Sequence, residues 1–313
     1  MYEDLLPENL NAVGASGEEM GANAIRNAFA IAIRSILLNS LQQVDREESI
    51  VKRLISTILK TVIFFIGWAI LISFTPDIPT KNPALLRLWW EFTPFIAVLL
   101  FSVIFVLVIG KGKIKIPVAS RFFKNFLIGV AIGFLWLGSV VAVLLLTKTM
   151  NIQGQNSINY IWIWIFAALL NAVMQELLVR GYLYQLWKQK YNFVVATVLT
   201  TILFTAMHGG AFEAGIIPVL NVVSMSIFVT LLLEYTGTIV APIIAHFIWN
   251  VIGGIILGGV SLASDYPNLL TSKFHGNLLL SGGIYKMEGS MIVLVVHLIL
   301  ITYLFILNKR MSS

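Results

Sequence analysis

Long apolar stretches separated by short polar segments dominate the chain. Eight of these stretches approach the ~20 residues that an α-helix needs to cross a bilayer. The pattern therefore predicts an all-α, polytopic membrane protein with about eight transmembrane helices, at roughly 57–75, 92–110, 124–147, 158–187, 193–208, 215–235, 238–258 and 290–307.

The first 50 residues depart from this pattern. Residues 1–20 are polar and acidic, lack the basic start and short apolar core of a signal peptide, and are interpreted as a tail. Residues 21–44 are apolar but interrupted by arginines, which predicts an amphipathic helix at the membrane interface or, alternatively, a weak first span. We therefore divide the chain into residues 1–50, the tail and interfacial helix, and residues 51–313, the transmembrane bundle.

Composition and charge agree with a membrane protein. The chain is 58% hydrophobic and 12% charged, with a mean hydropathy of +0.89. Its net charge of +6 does not indicate nucleic acid, because the basic residues lie mostly on alternate short connections between apolar stretches. That pattern predicts cytoplasmic N and C termini. The chain has no cysteine, which excludes disulfides and thiolate chemistry.

One carboxylate stands out within the apolar stretches. Glu176 is the single acidic residue between Glu91 and Glu213. A carboxylate inside a bilayer is costly, so we interpret it as functional. Arg180 lies one helical turn later, where the two side chains can pair. The pair could serve chemistry, or it could be a structural ion pair that locks the helix.

Two later stretches each carry a histidine at helical spacing from a second residue. His208 follows Phe204 by four positions, and the same spacing puts His246 and Asn250 on one helix face. Singly, His208 could be a structural histidine, and His246 with Asn250 could be interhelical hydrogen-bonding residues. Estimated depths range from about 12 to about 25 Å, a spread that tilt and side-chain reach can absorb. We predict that these helices meet Glu176 in one polar site.

Such a site could activate a water molecule for attack on a carbonyl group. A buried carboxylate can serve as general base while a histidine shares the proton transfer. The second histidine and the Asn250 amide can supply hydrogen-bond donors to the oxyanion. Alternatively, Glu176, His208 and His246 could hold a divalent metal such as zinc, which would acidify the water. Both mechanisms are open at this point.

The ordered set of residues resembles a known family, the CPBP intramembrane proteases, which include CAAX proteases and bacteriocin-processing (Abi) enzymes. The EExxxR, FxxxH and HxxxN motifs of that family correspond here to Gln175-Glu176…Arg180, Phe204…His208 and His246…Asn250. The resemblance covers roughly residues 90–307. It implies glutamate-dependent hydrolysis of a peptide bond in the membrane. In the family, the first Glu and the FxxxH histidine activate water, the HxxxN pair forms the oxyanion hole, and the second Glu with the Arg supports the site.

The resemblance also implies the substrate class and the location. The expected substrate is a membrane-associated peptide or a lipidated protein: a prenylated CAAX tail or, in a bacterium, a leader or signalling peptide. Lipid and a further membrane protein are the other expected partners, and nucleic acid is not. The expected location is a bacterial plasma membrane.

Gln175 departs from the family motif, because it stands where the family has its first Glu. An amide cannot take a proton from water at neutral pH, and loss of a general base costs roughly 100- to 10,000-fold in rate. We therefore expect an inactive or impaired protease. Three explanations are open: an engineered Glu→Gln change, a natural pseudoprotease acting as a membrane scaffold or immunity or regulatory protein, or Glu176 acting as base. A transporter or channel is disfavoured, because the buried polar groups are few.

The remaining polar residues receive simpler interpretations. His297 is expected to be a packing or interfacial histidine outside the motifs, and His275 is expected to be solvated in the connection 259–289. Glu234 is expected to form a pair near the membrane interface. Glu213 and Glu288 are expected to lie in solvated connections, where access to the site or contact with substrate is the alternative.

Overall fold

The computed structural model describes residues 31, 34–35, 49–118, 120–261 and 265–312. The chain divides into two units, Met1–Ser56 and Thr57–Ser313. The predicted tail, residues 1–20, and nearly all of the predicted interfacial helix, residues 21–44, lie outside the described residues. Both stay predictions.

Apolar helices make up most of the described chain. Six are long and apolar enough to cross a membrane, and two apolar helices are shorter. The prediction of an all-α, polytopic membrane protein is thereby confirmed. In order, the helices are α1 (Ser49–Ser73), α2 (Pro83–Ile109), α3 (Phe122–Leu146), α4 (Ile161–Lys190), α5 (Phe193–Met207), α6 (Gly209–Ala214), α7 (Ile216–Thr236), α8 (Val240–Ile256), α9 (Leu278–Ser281) and α10 (Met291–Ser312).

Helix α2 begins well before the start predicted from hydropathy. The side chain of Asn82 accepts a hydrogen bond from the backbone N–H of Ala84 at 3.0 Å and so caps the helix. Pro83 at the first helical position loses no intrahelical hydrogen bond. As a result, Arg87 and Glu91 lie in the first turns of a membrane helix and not in a connection.

A short antiparallel ladder is the departure from the all-helical prediction. Strand β1 (Met150–Gln155) pairs with β2 (Leu270–Phe274), with an irregular register between Ile152 and Gly154. The ladder joins the α3–α4 connection to the long α8–α10 connection. It therefore orders part of a segment that also contributes to the cavity described below.

Helix α3 packs closely on α8 through small residues. A Cβ atom added at Gly129 would lie 2.9 Å from the carbonyl oxygen of Ala241, and one added at Gly133 would lie 3.1 Å from the Cα of Ala245. Small residues one turn apart on both helices let two membrane helices approach to backbone contact. His246 directly follows Ala245, so this contact fixes where α8 presents its polar face.

Large apolar side chains cover much of the outer surface of the bundle. Phe74, Leu146 and Trp162 are among the exposed ones. Continuous apolar surface of this kind is unfavourable in water and is covered by lipid in a membrane. The protein is an integral membrane protein.

Candidate active site

Glu176 is fully buried and joins α4 to α8. Its Oε1 atom accepts a hydrogen bond from Nδ1 of His246 at 2.9 Å and one from Nη1 of Arg180 at 3.4 Å. Its Oε2 atom has no hydrogen-bond partner among the residues that the structure describes. The predicted meeting of the first and third motifs is therefore a direct contact between Glu176 and His246.

Arg180 is also fully buried, and its shortest hydrogen bonds go to α7. Its Nη2 atom donates to the backbone oxygen of Ser226 at 2.9 Å and to the hydroxyl of the same residue at 2.7 Å. Nε donates to the hydroxyl of Thr230 at 3.4 Å. The guanidinium carbon lies 4.4 Å from the centre of the Phe204 ring on α5, which is a cation–π contact. Arg180 therefore holds α4, α5 and α7 together.

Both α4 and α8 contain a π-helical segment at the site. The segments are Leu177–Leu183, which includes Arg180, and Trp249–Ile256, which includes Asn250. Such segments interrupt regular α-helical spacing and are frequent at functional sites. The 3.4 Å contact from Arg180 to Glu176 is longer than the ~2.7–2.9 Å of a strong ionic hydrogen bond. The four-residue spacing alone would therefore predict a stronger hydrogen bond between Glu176 and Arg180 than the structure has.

His208 caps the end of α5 and has a defined tautomer. Its Nδ1 atom lies 2.7 Å from the backbone oxygen of Phe204. A carbonyl oxygen can only accept, so Nδ1 carries the proton and donates it, and the neutral ring keeps a lone pair on Nε2. The ring centres of His208 and Phe204 are 4.4 Å apart. His208 lines the cavity described below and has a free basic nitrogen for a bound water.

The tautomer of His246 also follows from its hydrogen-bond partner. Because a carboxylate accepts, Nδ1 of His246 donates to Glu176, and Nε2 becomes a donor only when the ring is protonated. Asn250 lies one turn further and donates from its amide in any protonation state. Both residues are buried and line the cavity. An oxyanion in this position would receive one permanent donor and one that depends on a proton.

Gln175 belongs to a separate chain of hydrogen bonds, which runs through Asn171 to Glu91. Its Nε2 atom donates to Oδ1 of Asn171 at 3.0 Å, and Nδ2 of Asn171 donates to Oε2 of Glu91 at 3.0 Å. Glu91 also forms an ion pair with Arg87 and accepts from the hydroxyl of Tyr266 at 3.4 Å. Burial raises the pKa of Tyr266 well above its usual range, so this hydroxyl stays protonated and donates. The chain links α2, α4 and the α8–α10 connection.

Glu91 is the polar residue that the sequence analysis missed. It is only 3% exposed and lines the same cavity as the motif residues. The predicted second span began at residue 92, so Glu91 was counted as part of a connection. The signals that could have found it are the Asn82-Pro83 helix start and the four-residue spacing from Arg87 to Glu91.

A cavity of about 780 Å³ gathers these groups. Of the predicted site residues, Gln175, His208, His246 and Asn250 line it, whereas Glu176, Arg180 and Phe204 support those residues from behind. The α8–α10 connection also contributes to the lining, through Gly258, Val260, Ser261, Tyr266 and Asn268. Pockets for small molecules and cofactors typically have volumes of roughly 300–1,000 Å³.

The donor set does not fit the alternative of a metal site. Within the described residues, no group of three or more His, Asp or Glu side chains is arranged to hold a metal ion. Arg180 and His246 both contact Oε1 of Glu176, so this carboxylate already has a cation, Arg180, as its counter-ion. The geometry fits water activation by side chains.

The simpler expectations for Glu234, His275 and Glu213 agree with the structure. Glu234 accepts hydrogen bonds from Nζ of Lys188 at 2.7 Å and from the hydroxyl of Tyr184 at 3.0 Å. His275 and Glu213 are exposed. These residues take no part in the cavity.

Two residues near α10 behave differently from each other. His297 is 1% exposed, and its Nδ1 atom lies 2.8 Å from the hydroxyl of Ser224, so it packs inside the bundle as predicted. The prediction of a solvated Glu288 is wrong. Glu288 is partly buried, lines the cavity, and accepts a hydrogen bond from the backbone N–H of Ser261 at 3.0 Å. The α8–α10 connection, which folds over the cavity, shields the Glu288 side chain from part of the solvent.

The three motifs thus surround one cavity inside a bundle of membrane helices, which is the arrangement expected of an intramembrane protease. Residues 157–252 match the family model described as "Type II CAAX prenyl endopeptidase Rce1-like". This match confirms the resemblance to the CPBP/CAAX protease family that the motifs indicated. The match includes every motif residue, while the rest of the predicted core, residues 90–307, lies outside it. No curated protein matches the chain.

Proposed function

We propose that the protein is an intramembrane endopeptidase whose cavity binds a membrane-associated peptide, and that Gln175 makes its hydrolytic step slow. The observation that carries this proposal is the convergence of Gln175, His208, His246 and Asn250 on one cavity. These residues come from three different helices and from all three motifs. They supply an acceptor for water, a basic nitrogen and oxyanion donors, and lack only a charged base at position 175.

The geometry supports a mechanism without a metal. A water bound between Gln175 and His208 donates one hydrogen bond to Oε1 of Gln175 and one to Nε2 of His208. As the water oxygen bonds to the scissile carbonyl carbon, its proton passes to Nε2. The carbonyl oxygen becomes an oxyanion that accepts from Asn250 and from protonated His246. When the C–N bond breaks, His208 returns its proton to the leaving amine.

Gln175 carries no negative charge, and this slows the mechanism. With Gln175, the proton taken by His208 has no adjacent carboxylate to stabilise it, and the amide cannot take the proton itself. Loss of a general base costs roughly 100- to 10,000-fold in rate. We therefore expect slow or undetectable hydrolysis by the protein as its sequence stands.

The substrate we propose is a leader or signalling peptide in a bacterial plasma membrane. The alternating basic connections favour cytoplasmic termini, which would put the α8–α10 connection on the outer face. Since this connection lines the cavity, a peptide would reach the site from that face. A prenylated CAAX tail on a cytoplasmic protein is the alternative.

The orientation is testable because the chain has no cysteine. Single variants Lys273→Cys and Lys190→Cys put a thiol at two exposed positions at opposite ends of the bundle. We expect a membrane-impermeant maleimide to label Lys273→Cys in intact cells and Lys190→Cys only after permeabilisation. The reverse pattern would contradict the orientation and favour a cytoplasmic substrate.

The hydrolytic function is tested by restoring a carboxylate at position 175. Cleavage of a leader-type peptide and of a prenylated CAAX peptide is measured in detergent for the unaltered protein, Gln175→Glu, and Gln175→Glu with Glu91→Gln. We expect at least one carboxylate variant to cleave faster by about 100-fold or more. If neither variant cleaves either peptide while both unfold like the unaltered protein, the endopeptidase proposal fails.

A second candidate function is a non-catalytic pseudoprotease that acts as a membrane scaffold, immunity or regulatory protein. The observation that favours it is the hydrogen bond that the Gln175 amide nitrogen donates to Asn171, which a carboxylate at this position could not donate. This candidate predicts a membrane partner that co-purifies equally well with His208→Ala and His246→Ala variants, and no cleavage by either carboxylate variant. Loss of the partner in the histidine variants would count against it.

A further inference from the structure

We propose that Glu91 is a positioning residue of the active site, which acts through Asn171 to hold the Gln175 amide with its oxygen toward the bound water. The inference rests on the proposed function. It adds a residue on α2, outside the matched segment 157–252, to a site otherwise built from the three motifs.

The direction of the hydrogen bonds carries the argument. The Glu91 carboxylate can only accept, so Asn171 must present its amide nitrogen to it, at 3.0 Å. The oxygen of Asn171 then faces Gln175, which must present its own amide nitrogen, also at 3.0 Å. Each link fixes the next. Oε1 of Gln175 is left buried and without a hydrogen-bond partner among the described residues, on a side chain that lines the cavity.

The Glu91 carboxylate, at the start of this chain of hydrogen bonds, has several partners. Glu91 is paired with Arg87 four residues earlier and accepts from the hydroxyl of Tyr266. Arg87 lies with its guanidinium carbon 4.8 Å from the centre of the Tyr266 ring and also contacts Asp265 at 3.4 Å. Donors from α2, α4 and the α8–α10 connection therefore converge on one carboxylate. The three donors are the Arg87 guanidinium, the Asn171 amide and the Tyr266 hydroxyl, and the first of them is also the counter-ion of the carboxylate.

A carboxylate at position 175 does not fit this arrangement. Its oxygen would face the oxygen of Asn171, and turning the Asn171 amide around would set that oxygen against Glu91 instead. Two carboxylates on either side of one amide need a proton on one of them. Because Glu91 has Arg87 as its counter-ion, the proton falls on residue 175, which then cannot act as a base. Gln175 and Glu91 are thus a compatible pair.

A double-mutant cycle with four proteins tests the inference: the unaltered chain, Glu91→Gln, Gln175→Glu and the double variant. In the Gln175→Glu background, Glu91→Gln frees Asn171 to turn and donate to residue 175, so we expect peptide cleavage to rise by roughly tenfold or more. In the unaltered background, the same change loosens Gln175, so any measurable cleavage falls. A purely structural Glu91 would lower the rate in both backgrounds.

Glu288→Gln is the matched control, since Glu288 also lines the cavity but is bonded to Ser261 and not to this chain. It should change both backgrounds by the same factor. If Gln175→Glu alone cleaves as fast as the double variant, the inference is wrong while the endopeptidase proposal stands. If no variant cleaves, the inference is tested by the unfolding free energy of the four proteins. Gln175→Glu is expected to lower the unfolding free energy less in the Glu91→Gln protein than in the unaltered protein. Equal losses in both backgrounds would overturn the inference.

Discussion

Glu91 and Glu176 are two buried carboxylates, each four residues from an arginine on the same helix, but their surroundings differ. Glu176 and Arg180 have fully buried side chains, and their partners lie on α5, α7 and α8 inside the bundle. The side chain of Glu91 is only 4% exposed, yet its partner Arg87 is 22% exposed and also contacts Asp265, which is 48% exposed. One pair is enclosed, and the other connects the cavity to the surface.

The difference assigns separate tasks to two neighbouring residues, Gln175 and Glu176. Glu176 forms the enclosed pair with Arg180, and this pair fixes the relative positions of the helices that carry the motifs. Gln175 is held by the chain from Glu91, which fixes the direction of an amide beside the cavity. Changes to the first network should therefore act mainly on stability, and changes to the second mainly on catalysis.

The largest expected effect on stability comes from removing the enclosed cation. Arg180→Met leaves Glu176 charged and buried, so we expect a loss of about 3–5 kcal/mol in unfolding free energy. Arg87→Met removes a cation that solvent reaches in part, and we expect roughly 1–3 kcal/mol. Denaturant unfolding in detergent measures both. Equal losses for the two variants would remove the distinction between the networks.

The next largest effect concerns the oxyanion. Asn250→Ala, made in a cleaving variant, removes the permanent donor and is expected to lower kcat by about 100- to 1,000-fold. Asn268→Ala is the comparison, because Asn268 also lines the cavity but donates to Leu270; its loss should stay below tenfold. Similar losses for both variants would argue against an oxyanion role for Asn250.

A smaller effect tests the anchor of Arg180 on α7. Ser226→Ala removes the 2.7 Å hydrogen bond from Nη2, which should cost about 1–3 kcal/mol of unfolding free energy. Thr302→Ala removes an exposed hydroxyl bonded within its own helix at 2.8 Å and should change stability by no more than about 0.5 kcal/mol. If Ser226→Ala is as mild as Thr302→Ala, the link from α4 to α7 contributes little.

The smallest effect is expected outside both networks. The Lys188–Glu234 pair is close, at 2.7 Å, but the side chain of Lys188 is 40% exposed. Lys188→Ala should cost about 0–1 kcal/mol, and the cost should shrink as salt is added. A loss as large as that of Arg180→Met would show that exposure does not distinguish the ion pairs of this bundle.

The motif helices could be predicted from the sequence because their polar residues interrupt long apolar stretches. Glu176, His208 and His246 stand out for this reason, and the family match includes all three. Hydropathy also identified the eight apolar helices of the described residues, since length and composition determine which segments a bilayer accepts. Glu91 escaped because it lies in the first turns of α2, before the continuous apolar run begins.

The contacts of Gln175 could not be predicted, because they depend on which helices pack together. In the sequence, nothing distinguishes Asn171 from other polar residues; its role follows from the packing of α2 on α4, which places Glu91 beside it. The tautomers of His208 and His246 likewise follow from partners that only the fold supplies. The π-helical segments at Arg180 and Asn250 shift residues away from the regular spacing on which a sequence argument relies.

The central claim is that the cavity holds a hydrolytic site in which His208 takes the proton from water. The most direct measurement compares peptide cleavage by Gln175→Glu with Glu91→Gln, with and without the further change His208→Ala. We predict cleavage by the first protein and a fall of about 100-fold or more on adding His208→Ala, with similar unfolding transitions. Equal cleavage with and without His208, or no cleavage by the first protein, would contradict the claim.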